Sequence, residues 1–577
     1  MVKYSGLKSR KEIFERKEVI PMAMSDIGVW LGNVVFKGVN HFTTIPVETQ
    51  EKILLQIMEE NKNTEYGKKI GFDKVHSVED FQKIVPLSTY DTYDEYIERM
   101  LDGESNLMMA RKCKRYCTSS GSVGKPKVLP KSGKDLFNMQ SMGFAATPAC
   151  ANKWFKERGM KFPKQIGPVA LILTGHKMRD GKMGNGAGQV PFTYLKPISK
   201  FFMTTPNEFM YPENEDAVNS TYFHLRFALE NREVSFLGSM VVTLLTSMFD
   251  YFENNWELVC KDIEMGTIDP SIKCPDELRK KWEKKFKPNP KRAAEIRKEC
   301  EKGFDDPIAK RLWPKFAWSY GMVGSTLEFY VQKLRRYIGD APIHNMGYAA
   351  AEGYFAMPVE LDVNDYVLLP RSIFFEFIPI DDPECERPLT IGEIEVGKEY
   401  ELVVTNFSGL YRYQIEDVVR VTGFYNKTPK VEFLYRNNLA MNVANEKTTT
   451  QMVDWAAAKV QEELGISFTG YSFYADNETE PVRYVMFAEP ESEISKDMIP
   501  AIEECLDKWL SESNEKYFKY RRWGMLGGAK VNLLKKNSYA DYREMLKKQG
   551  KVLNQVKPVT VINTDERKEF FFSHIDE

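Results

Sequence analysis

The stretch "RYCTSSGSVGKPKVLPKS", residues 115–132, combines hydroxyl side chains, two close glycines and several lysines in one short segment. Hydroxyls and open backbone amides of a glycine-rich turn can form a concavity that binds an anion. The stretch is not a Walker A loop, because only two residues separate Gly121 from Gly124 and Pro126 follows Lys125. Taken alone, it is consistent with a phosphate-binding loop or with an ordinary surface loop.

The bulk composition describes a large globular protein with little net charge. The chain has 577 residues, 43% of them hydrophobic, and this length exceeds the size at which one hydrophobic core stops growing. Lysine and arginine number 80 against 82 aspartate and glutamate, so no strong positive field exists to attract nucleic acid or an anionic membrane. We expect two or more domains, and neither a nucleic acid nor a membrane as partner.

Cysteine usage and the N-terminal sequence both favour a cytoplasmic protein. The eight cysteines are scattered, and Cys113 and Cys117 have no second Cys/His pair at the spacing of a zinc site. Scattered cysteines of this kind indicate reduced thiols. The N-terminus lacks the apolar core of a signal peptide. The longest apolar segment, residues 27–39, is too short for a membrane span and contains Lys37, so we expect a packed helix there.

The pattern of apolar and turn residues changes along the chain, and these changes suggest two domains. Residues 46–100 have the periodicity of amphipathic helices, and residues 168–175 are typical of a short buried strand. Residues 362–436 contain short strand-like runs separated by turn residues, which indicates a β-rich subdomain. Helix and strand patterns follow to the end, over a length sufficient for a separate α/β domain. We therefore predict an N-terminal domain at residues 1–438 and a smaller one at residues 439–577.

Two acidic residues stand in unusual surroundings. Glu352 in "NMGYAAAEGYFAM", residues 345–357, is a lone carboxylate among small and aromatic residues, suited to holding a metal ion or to capping a helix. Asp417 follows Glu416 in the strand-like run of residues 406–425. Neighbouring residues in a strand point to opposite faces, so these two are not a catalytic carboxylate pair. Asp417 fits either a turn or salt-bridge residue or an acceptor for sugar hydroxyls.

In their order and spacing, these features resemble the adenylate-forming superfamily of acyl-activating enzymes. The chain is most similar to the acyl-acid amido synthetases of the Gretchen Hagen (auxin-responsive promoter) family, over about residues 46 to 560. The resemblance implies an α/β fold, with a large N-terminal domain of β-sheets flanked by helices, a β-rich subdomain, and a smaller mobile C-terminal α/β domain. The segments that carry it are "EYGKKIGFDKVHSVEDFQKIVPLSTYDTYDEYIERMLDGE" (65–104), "SGLYRYQIEDVVRVTGFYNKTPKVEFLYR" (408–436), "NEKTTT" (445–450) and "LNQVKP" (553–558).

The resemblance implies a site for ATP and Mg²⁺ assembled from separate parts of the chain. Tyr348 matches the tyrosine that packs beside adenine, and Tyr413 matches an aromatic residue that supports the nucleotide. Asp417 matches the aspartate that accepts the two ribose hydroxyls, and Glu352 the glutamate that helps hold Mg²⁺ against the phosphates. The phosphates themselves are expected on the hydroxyl-rich loop, with the ligands Thr118, Ser119, Ser120, Gly121, Ser122 and Lys127.

Two lysines match catalytic positions of the family. Lys447 resembles the lysine that contacts the adenylate, and Lys557 resembles the lysine of the mobile domain that enters for one half-reaction. The chain departs from the family pattern at Glu416, because a glycine usually precedes the ribose-binding aspartate there. If that glycine serves a positive φ angle, we expect the backbone at Glu416 to be strained.

The resemblance also implies the reaction. A carboxylic acid attacks the α-phosphorus of ATP, pyrophosphate leaves, and an amine, expected to be that of an amino acid, attacks the acyl-adenylate to give an amide and AMP. Charge neutralisation by Mg²⁺, lysines and loop amides is the main catalytic need. Two alternatives stay open: an acyl-CoA ligase of the same superfamily that forms a thioester, and a non-catalytic nucleotide-binding module. We expect a cytoplasmic monomer.

Overall fold

The structure of the chain is a computed structural model. It describes residues 24–118, 127–170, 176–186, 189, 196–197, 199, 202–212, 217–323, 328–382, 385, 387–436, 441, 446, 448–522, 524–549 and 559–576.

Helices and strands occur along the whole described chain. The helices are α1 (Met24–Thr44), α2 (Pro46–Asn61), α3 (Glu65–Ile70), α4 (Val78–Ile84), α5 (Asp94–Leu101), α6 (Gly133–Gln140), α7 (Thr147–Glu157), α8 (Asn207–Met210), α9 (Ser220–Glu230), α10 (Val242–Met265), α11 (Asp276–Glu283), α12 (Pro290–Cys300), α13 (Ala309–Leu312), α14 (Glu328–Ile338), α15 (Thr450–Leu464), α16 (Ile499–Ser513), α17 (Glu515–Arg522), α18 (Ser538–Lys548) and α19 (Asp565–Ser573). The strands are β1 (Cys113–Thr118), β2 (Val128–Ser132), β3 (Val169–Ala170), β4 (His176–Lys177), β5 (Met183–Gly186), β6 (Phe236–Val241), β7 (Trp318–Met322), β8 (Ile343–Asn345), β9 (Tyr348–Ala349), β10 (Tyr354–Met357), β11 (Asp365–Leu368), β12 (Phe374–Pro379), β13 (Leu389–Thr390), β14 (Glu399–Thr405), β15 (Tyr413–Tyr425), β16 (Thr428–Arg436), β17 (Phe468–Asp476), β18 (Arg483–Pro490), β19 (Lys530–Leu533) and β20 (Val561–Ile562).

The described strands form four sheets. The largest has the order β13-β12-β14-β15-β16-β11-β10-β9 and is antiparallel throughout. It contains the β-rich subdomain predicted at residues 362–436. A parallel sheet has the order β3-β6-β7-β8, and a mixed sheet has the order β2-β1-β5-β4. The fourth sheet, β19-β18-β17-β20, lies in the C-terminal part. The predicted α/β class is therefore correct.

The hydrophobic cores separate into two groups along the chain. Buried apolar residues numbered 39–431 form two cores, which contain, for example, Tyr413 and Phe249. Buried apolar residues numbered 441–571 form two further cores around Phe473 and Phe487. A core of its own is what allows a segment to behave as a domain. The boundary predicted after residue 438 falls between the two groups.

Local sequence signals account for several helix ends. The Ser77 hydroxyl accepts a hydrogen bond from the Asp80 amide at 3.0 Å and starts α4, which ends ahead of Pro86. The apolar segment 27–39 lies inside α1, as expected, where Val39 is buried and Trp30 is exposed. None of the helices in the described residues combines the length and the apolar character needed to cross a bilayer.

Candidate nucleotide-binding site

The hydroxyl-rich loop connects two paired strands. β1 ends at Thr118, β2 begins at Val128, and these two residues are partners in the antiparallel ladder. On its other side β1 pairs in parallel with β5, so that Thr118 lies opposite Gly186. The two ends of the loop are therefore held together at one sheet. Four of the predicted phosphate ligands lie outside the described residues, namely Ser119, Ser120, Gly121 and Ser122.

Lys127 connects the loop to the large sheet. Its Nζ donates a hydrogen bond to the Tyr413 hydroxyl at 3.3 Å and lies 5.8 Å from the centre of the Tyr413 ring. The same ammonium group lies 5.7 Å from the centre of the Tyr90 ring. The Tyr90 hydroxyl accepts a hydrogen bond from the Val128 amide at 3.2 Å. A cation flanked by two aromatic rings is therefore held at the end of the loop.

The side chains of Tyr348 in β9 and Asp417 in β15 contact each other, and both strands belong to the large sheet. The Tyr348 hydroxyl donates a hydrogen bond to Oδ2 of Asp417 at 2.7 Å, although 69 residues separate the two in sequence. Tyr348 is 7% exposed and Asp417 is 3% exposed. A carboxylate has several acceptor positions, so a carboxylate oriented by one hydroxyl can also accept hydrogen bonds from a ligand. The structure thus brings together two residues for which the family resemblance implies contacts with adenine and ribose.

A bulge in β15 sets the backbone ahead of Asp417. Glu401 of β14 pairs with Val418 and Val403 pairs with Gln414, so one residue of β14 faces three residues of β15. Glu416 lies in this bulge with a φ of +62°. Bulges re-aim side chains and are frequent next to functional sites. Residue 416 therefore has the positive φ angle that would explain a glycine in the family, although the residue in this chain is a glutamate.

This backbone conformation predicts opposite effects for two substitutions of Glu416. We expect Glu416→Val to lower the free energy of unfolding by about 1–3 kcal/mol, because β-branched residues are strained at positive φ. We expect Glu416→Gly to leave it unchanged or to raise it by up to about 1 kcal/mol, because glycine tolerates positive φ. Urea unfolding measures both. Glu432→Val in β16, outside the positive-φ positions, is the control, and equal losses at the two valine positions would contradict the strain.

Glu352 occupies the tight turn between β9 and β10. The Ala350 amide donates to the Gly353 carbonyl at 2.9 Å, so Glu352 belongs to a strand connection and does not cap a helix. The residue is 7% exposed. Its carbonyl oxygen accepts hydrogen bonds from Lys131 Nζ and from Asn406 Nδ2, each at 2.9 Å. The turn is therefore attached to the β1–β2 hairpin on one side and to the large sheet on the other.

The charge of Glu352 lies close to the same hairpin. Burial raises the pKa of the Cys117 thiol in β1 to about 11, and the neighbouring positive charges of Lys131 and Arg115 oppose that rise. The negative charges of Glu352 and Asp135 add to the rise. The hydrogen bond from Lys131 of β2 to the main chain of Glu352 places residue 352 beside the same hairpin.

Lys447 and Lys557 lie outside the described residues. The neighbours of Lys447, however, are fixed to the C-terminal part of the chain. Asn514 Nδ2 donates to the carbonyl oxygen of Glu446 at 3.2 Å and to the Thr448 hydroxyl at 3.1 Å. The Tyr484 hydroxyl donates to Oε1 of Glu446. The segment that contains Lys447 is thus joined to the domain predicted to move, and the roles of both lysines stay predictions.

Reasoning from the sequence missed three residues of this region, Tyr90, Lys131 and Asn406. Lys131 had a signal, because a lysine in the strand-like run "KVLPKS" interrupts residues that are otherwise suited to burial. Tyr90 and Asn406 had none, since each contributes through contacts with parts of the chain that are remote in sequence.

Models of one protein family match three consecutive parts of the chain. Residues 35–343 match the GH3 family N-terminal domain, residues 366–436 the GH3 family central domain and residues 449–566 the GH3 family C-terminal domain.

Relatives and solved structures cover most of the chain. Jasmonoyl--L-amino acid synthetase JAR4 of Nicotiana attenuata is 29% identical over 85% of this chain and 86% of its own. Putative indole-3-acetic acid-amido synthetase GH3.9 of Arabidopsis thaliana is 29% identical over 91% of this chain and 93% of its own. The structure of GH3.15 acyl acid amido synthetase superposes with a TM-score of 0.80 at 24% identity, over 93% of this chain and 96% of that one, and shares the fold.

These matches answer three of the sequence predictions. The α/β architecture is confirmed by the shared fold. The relatives carry the names of amido synthetases, which are ligases, so the prediction of an enzyme of this class is confirmed as well. The chain belongs to the GH3 family, the Gretchen Hagen family that its motifs predicted.

Proposed function

We propose that this chain is an ATP-dependent ligase that adenylates a carboxylic acid and transfers the acyl group to an amine, giving an amide and AMP. One observation carries the proposal: Tyr413 and Asp417 stand in the same strand, β15, where Tyr413 accepts a hydrogen bond from Lys127 at the end of the phosphate loop and Asp417 accepts one from Tyr348. An acceptor for ribose and a cation for phosphate are thereby available to a single nucleotide.

The residues present fit a magnesium ion bound together with ATP. Mg²⁺ in nucleotide sites is usually held by one or two carboxylates plus substrate phosphates, and Glu352 offers such a carboxylate next to the phosphate hairpin. The donor is a hard oxygen, as this ion prefers. When bound, Mg²⁺ would neutralise charge that develops on the phosphates. Glu352 would hold the ion, and Lys127 would add a second positive charge at the loop.

The remaining roles concern the acyl group and the movement of domains. Asp417 would orient the nucleotide through its ribose, so that the α-phosphorus faces the incoming carboxylate. Lys447 would contact the adenylate. We propose that residues 439–577 rotate between the two half-reactions, bring Lys557 into the site for one of them and exclude water, which would otherwise hydrolyse the adenylate.

The names of the relatives suggest the substrate classes. JAR4 is named for a jasmonoyl group and an L-amino acid, and GH3.9 for indole-3-acetic acid. For this chain we propose the two classes only, a small organic carboxylic acid and an amino acid. We further propose a cytoplasmic monomer that needs neither nucleic acid nor a membrane, consistent with its balanced charge.

An exchange assay tests the proposed function. We expect a carboxylic acid from a broad panel to support exchange of pyrophosphate into ATP, and an amino acid then to give an amide that mass spectrometry detects. Turnover with coenzyme A and with no amino acid would make the chain an acyl-CoA ligase. Nucleotide binding without exchange for any acid would make it a non-catalytic module.

The proposed rotation predicts an unequal effect of Lys557→Ala. We expect one half-reaction to slow by about 10-fold or more relative to the other, because a lysine that enters for one step stabilises charge only in that step. Pyrophosphate exchange reports the first step, and amide formation from a supplied acyl-adenylate reports the second. Lys548→Ala, an exposed lysine of α18, is the control. Equal losses in both steps would contradict the rotation.

A further inference from the structure

We propose that Lys131 is a positioning residue, which holds the main chain of Glu352 so that its carboxylate can bind Mg²⁺. This inference rests on the proposed function, because it assigns a task to the metal-binding role of Glu352. Lys131 itself is not placed in contact with the nucleotide.

The position of Lys131 is unusual for a charged residue. It stands in β2 with 0% of its surface exposed. Its Nζ donates a hydrogen bond to the Glu352 carbonyl oxygen at 2.9 Å, across 221 residues of sequence. Within the described part of the chain, no carboxylate forms an ion pair with this ammonium group. Removing an ammonium group from water is costly, so a buried lysine whose direct partner is a main-chain carbonyl needs an explanation.

Asn406 is a second donor to the same carbonyl oxygen, and we call the pair Lys131 and Asn406 the clamp. Its Nδ2 donates to the Glu352 oxygen at 2.9 Å, in addition to the hydrogen bond from Lys131. Its own Oδ1 accepts hydrogen bonds from the amides of Ser408 and Leu410, at 2.9 and 3.1 Å. Asn406 is completely buried. With both oxygen and nitrogen engaged, its amide has one orientation, and the Glu352 carbonyl is held by two donors.

A second set of contacts fixes the strand that carries Lys131. The Ser132 amide donates to the Ser408 hydroxyl oxygen at 2.9 Å, and the Ser408 hydroxyl donates to Oδ2 of Asp135. Burial raises the pKa of Asp135, and the charge of Lys131 is the largest influence that opposes the rise. The positive charge of Lys131 therefore partly offsets the cost of burying the Asp135 carboxylate, without a direct hydrogen bond between them. The direct hydrogen bond of Lys131 goes to the Glu352 carbonyl.

The clamp matters for a metal that tolerates little distortion. Mg²⁺ requires nearly ideal octahedral geometry, so a small displacement of the turn between β9 and β10 would move a carboxylate ligand out of position. Partners that orient a metal ligand typically change metal affinity or activity about 10–100-fold when they are mutated. If Lys131 only compensated Asp135, its loss would lower stability and leave the Mg²⁺ requirement unchanged.

The test is a Mg²⁺ titration of the full chain carrying Lys131→Met, followed by calorimetric binding of a non-hydrolysable ATP analogue and, separately, by acid-dependent ATP–pyrophosphate exchange; the Mg²⁺ concentration for half-maximal binding should rise in parallel with that for exchange. We expect the Mg²⁺ concentration for half-maximal exchange to rise about 10-fold, with most of the maximal rate recovered at saturating Mg²⁺. Lys114→Met, an exposed lysine on the neighbouring strand β1, is the matched control and should titrate like the unmodified chain. A folded Lys131→Met variant with an unchanged Mg²⁺ requirement, or with the same loss at every Mg²⁺ concentration, overturns the proposal.

A second variant covers the case in which Lys131→Met does not fold. Asn406→Asp keeps the shape and the two accepted hydrogen bonds, but replaces the second donor by an acceptor that draws Lys131 away from Glu352. We expect the Mg²⁺ requirement to rise here too, and an unchanged requirement overturns the proposal equally.

Glu352→Gln separates this inference from the proposed function. If Glu352→Gln leaves the Mg²⁺ requirement unchanged, the metal-binding role of Glu352 itself is wrong. If Glu352→Gln raises the requirement and the Lys131 and Asn406 variants do not, only the clamp is wrong.

Discussion

Replacing Asp417 with alanine is expected to weaken ATP binding at least about 100-fold while the chain remains folded. Hydrogen bonds to a charged group contribute about 1.5–3 kcal/mol each. We propose that Asp417 accepts one from each ribose hydroxyl, so its replacement by alanine would remove two. Together they correspond to about 3 kcal/mol or more, and each 1.4 kcal/mol is about tenfold in affinity. Isothermal titration calorimetry with a non-hydrolysable ATP analogue measures the loss. An unchanged affinity in a folded variant would remove Asp417 from the ribose.

The stability of the Asp417→Ala variant needs its own measurement. Alanine leaves the Tyr348 hydroxyl without the acceptor that it contacts at 2.7 Å, and an unsatisfied buried group costs about 1–3 kcal/mol. Urea unfolding should show a loss of this size, well below complete unfolding. Asp365→Ala in β11 of the same sheet, which removes an ion pair with Lys430, is the matched control and should leave ATP affinity unchanged.

Tyr348→Phe provides a graded version of the same experiment. It keeps the ring and removes only the hydroxyl that orients Asp417. We expect a loss of ATP affinity of about tenfold, smaller than that of Asp417→Ala, because the carboxylate remains but loses one partner. A loss larger than that of Asp417→Ala would mean that the tyrosine contributes more directly to binding than the aspartate does.

Replacing Glu352 with glutamine is expected to lower acid-dependent ATP–pyrophosphate exchange at least about 100-fold at low Mg²⁺, which is the scale of losing one electrostatic contributor in an active site. The substitution removes the negative charge and keeps the shape. It also keeps the main-chain carbonyl that Lys131 and Asn406 contact, so the turn should stay in place. Part of the rate should return at high Mg²⁺, because the weakened site can still be filled by mass action.

A control distinguishes this loss from a general effect of charge. Glu360→Gln changes an exposed glutamate a short distance along the chain, beyond β10, and should leave both the rate and the Mg²⁺ requirement unchanged. If Glu352→Gln exchanges pyrophosphate at the original rate with the original Mg²⁺ requirement, Glu352 does not hold the metal, and another carboxylate must be sought.

Much of the fold could be predicted from local patterns in the sequence. The short strand-like runs at residues 362–436 became strands β11–β16, and Ser77 caps the helix predicted after it. Those patterns depend on side-chain periodicity, turn residues and capping. These act over a few residues and can therefore be recognised from the sequence alone. The order of the motifs led to the family, and the family domains cover the same parts of the chain.

The candidate site was predictable in its residue types and less so in its contacts. Tyr348, Asp417 and Glu352 were singled out from motifs, but their partners were not. The sequence predicted a regular strand around Asp417, whereas the structure has a bulge there. The bulge arises from the pairing with β14, and Glu416 lies in it with a positive φ. A bulge is a property of two strands together, so it leaves no clear mark in one of them.

By itself, then, the sequence determined the α/β class and the family, and it predicted which groups would meet a nucleotide. Only the tertiary structure decided that Tyr348 orients Asp417, that Lys127 reaches Tyr413 and that Lys131 holds Glu352, contacts that span 69, 286 and 221 residues. The reason is that secondary structure follows from interactions within a few residues, whereas such contacts depend on sheet register. A shift of one residue in that register would turn strand side chains such as Asp417, Tyr413 and Lys131 to the opposite face.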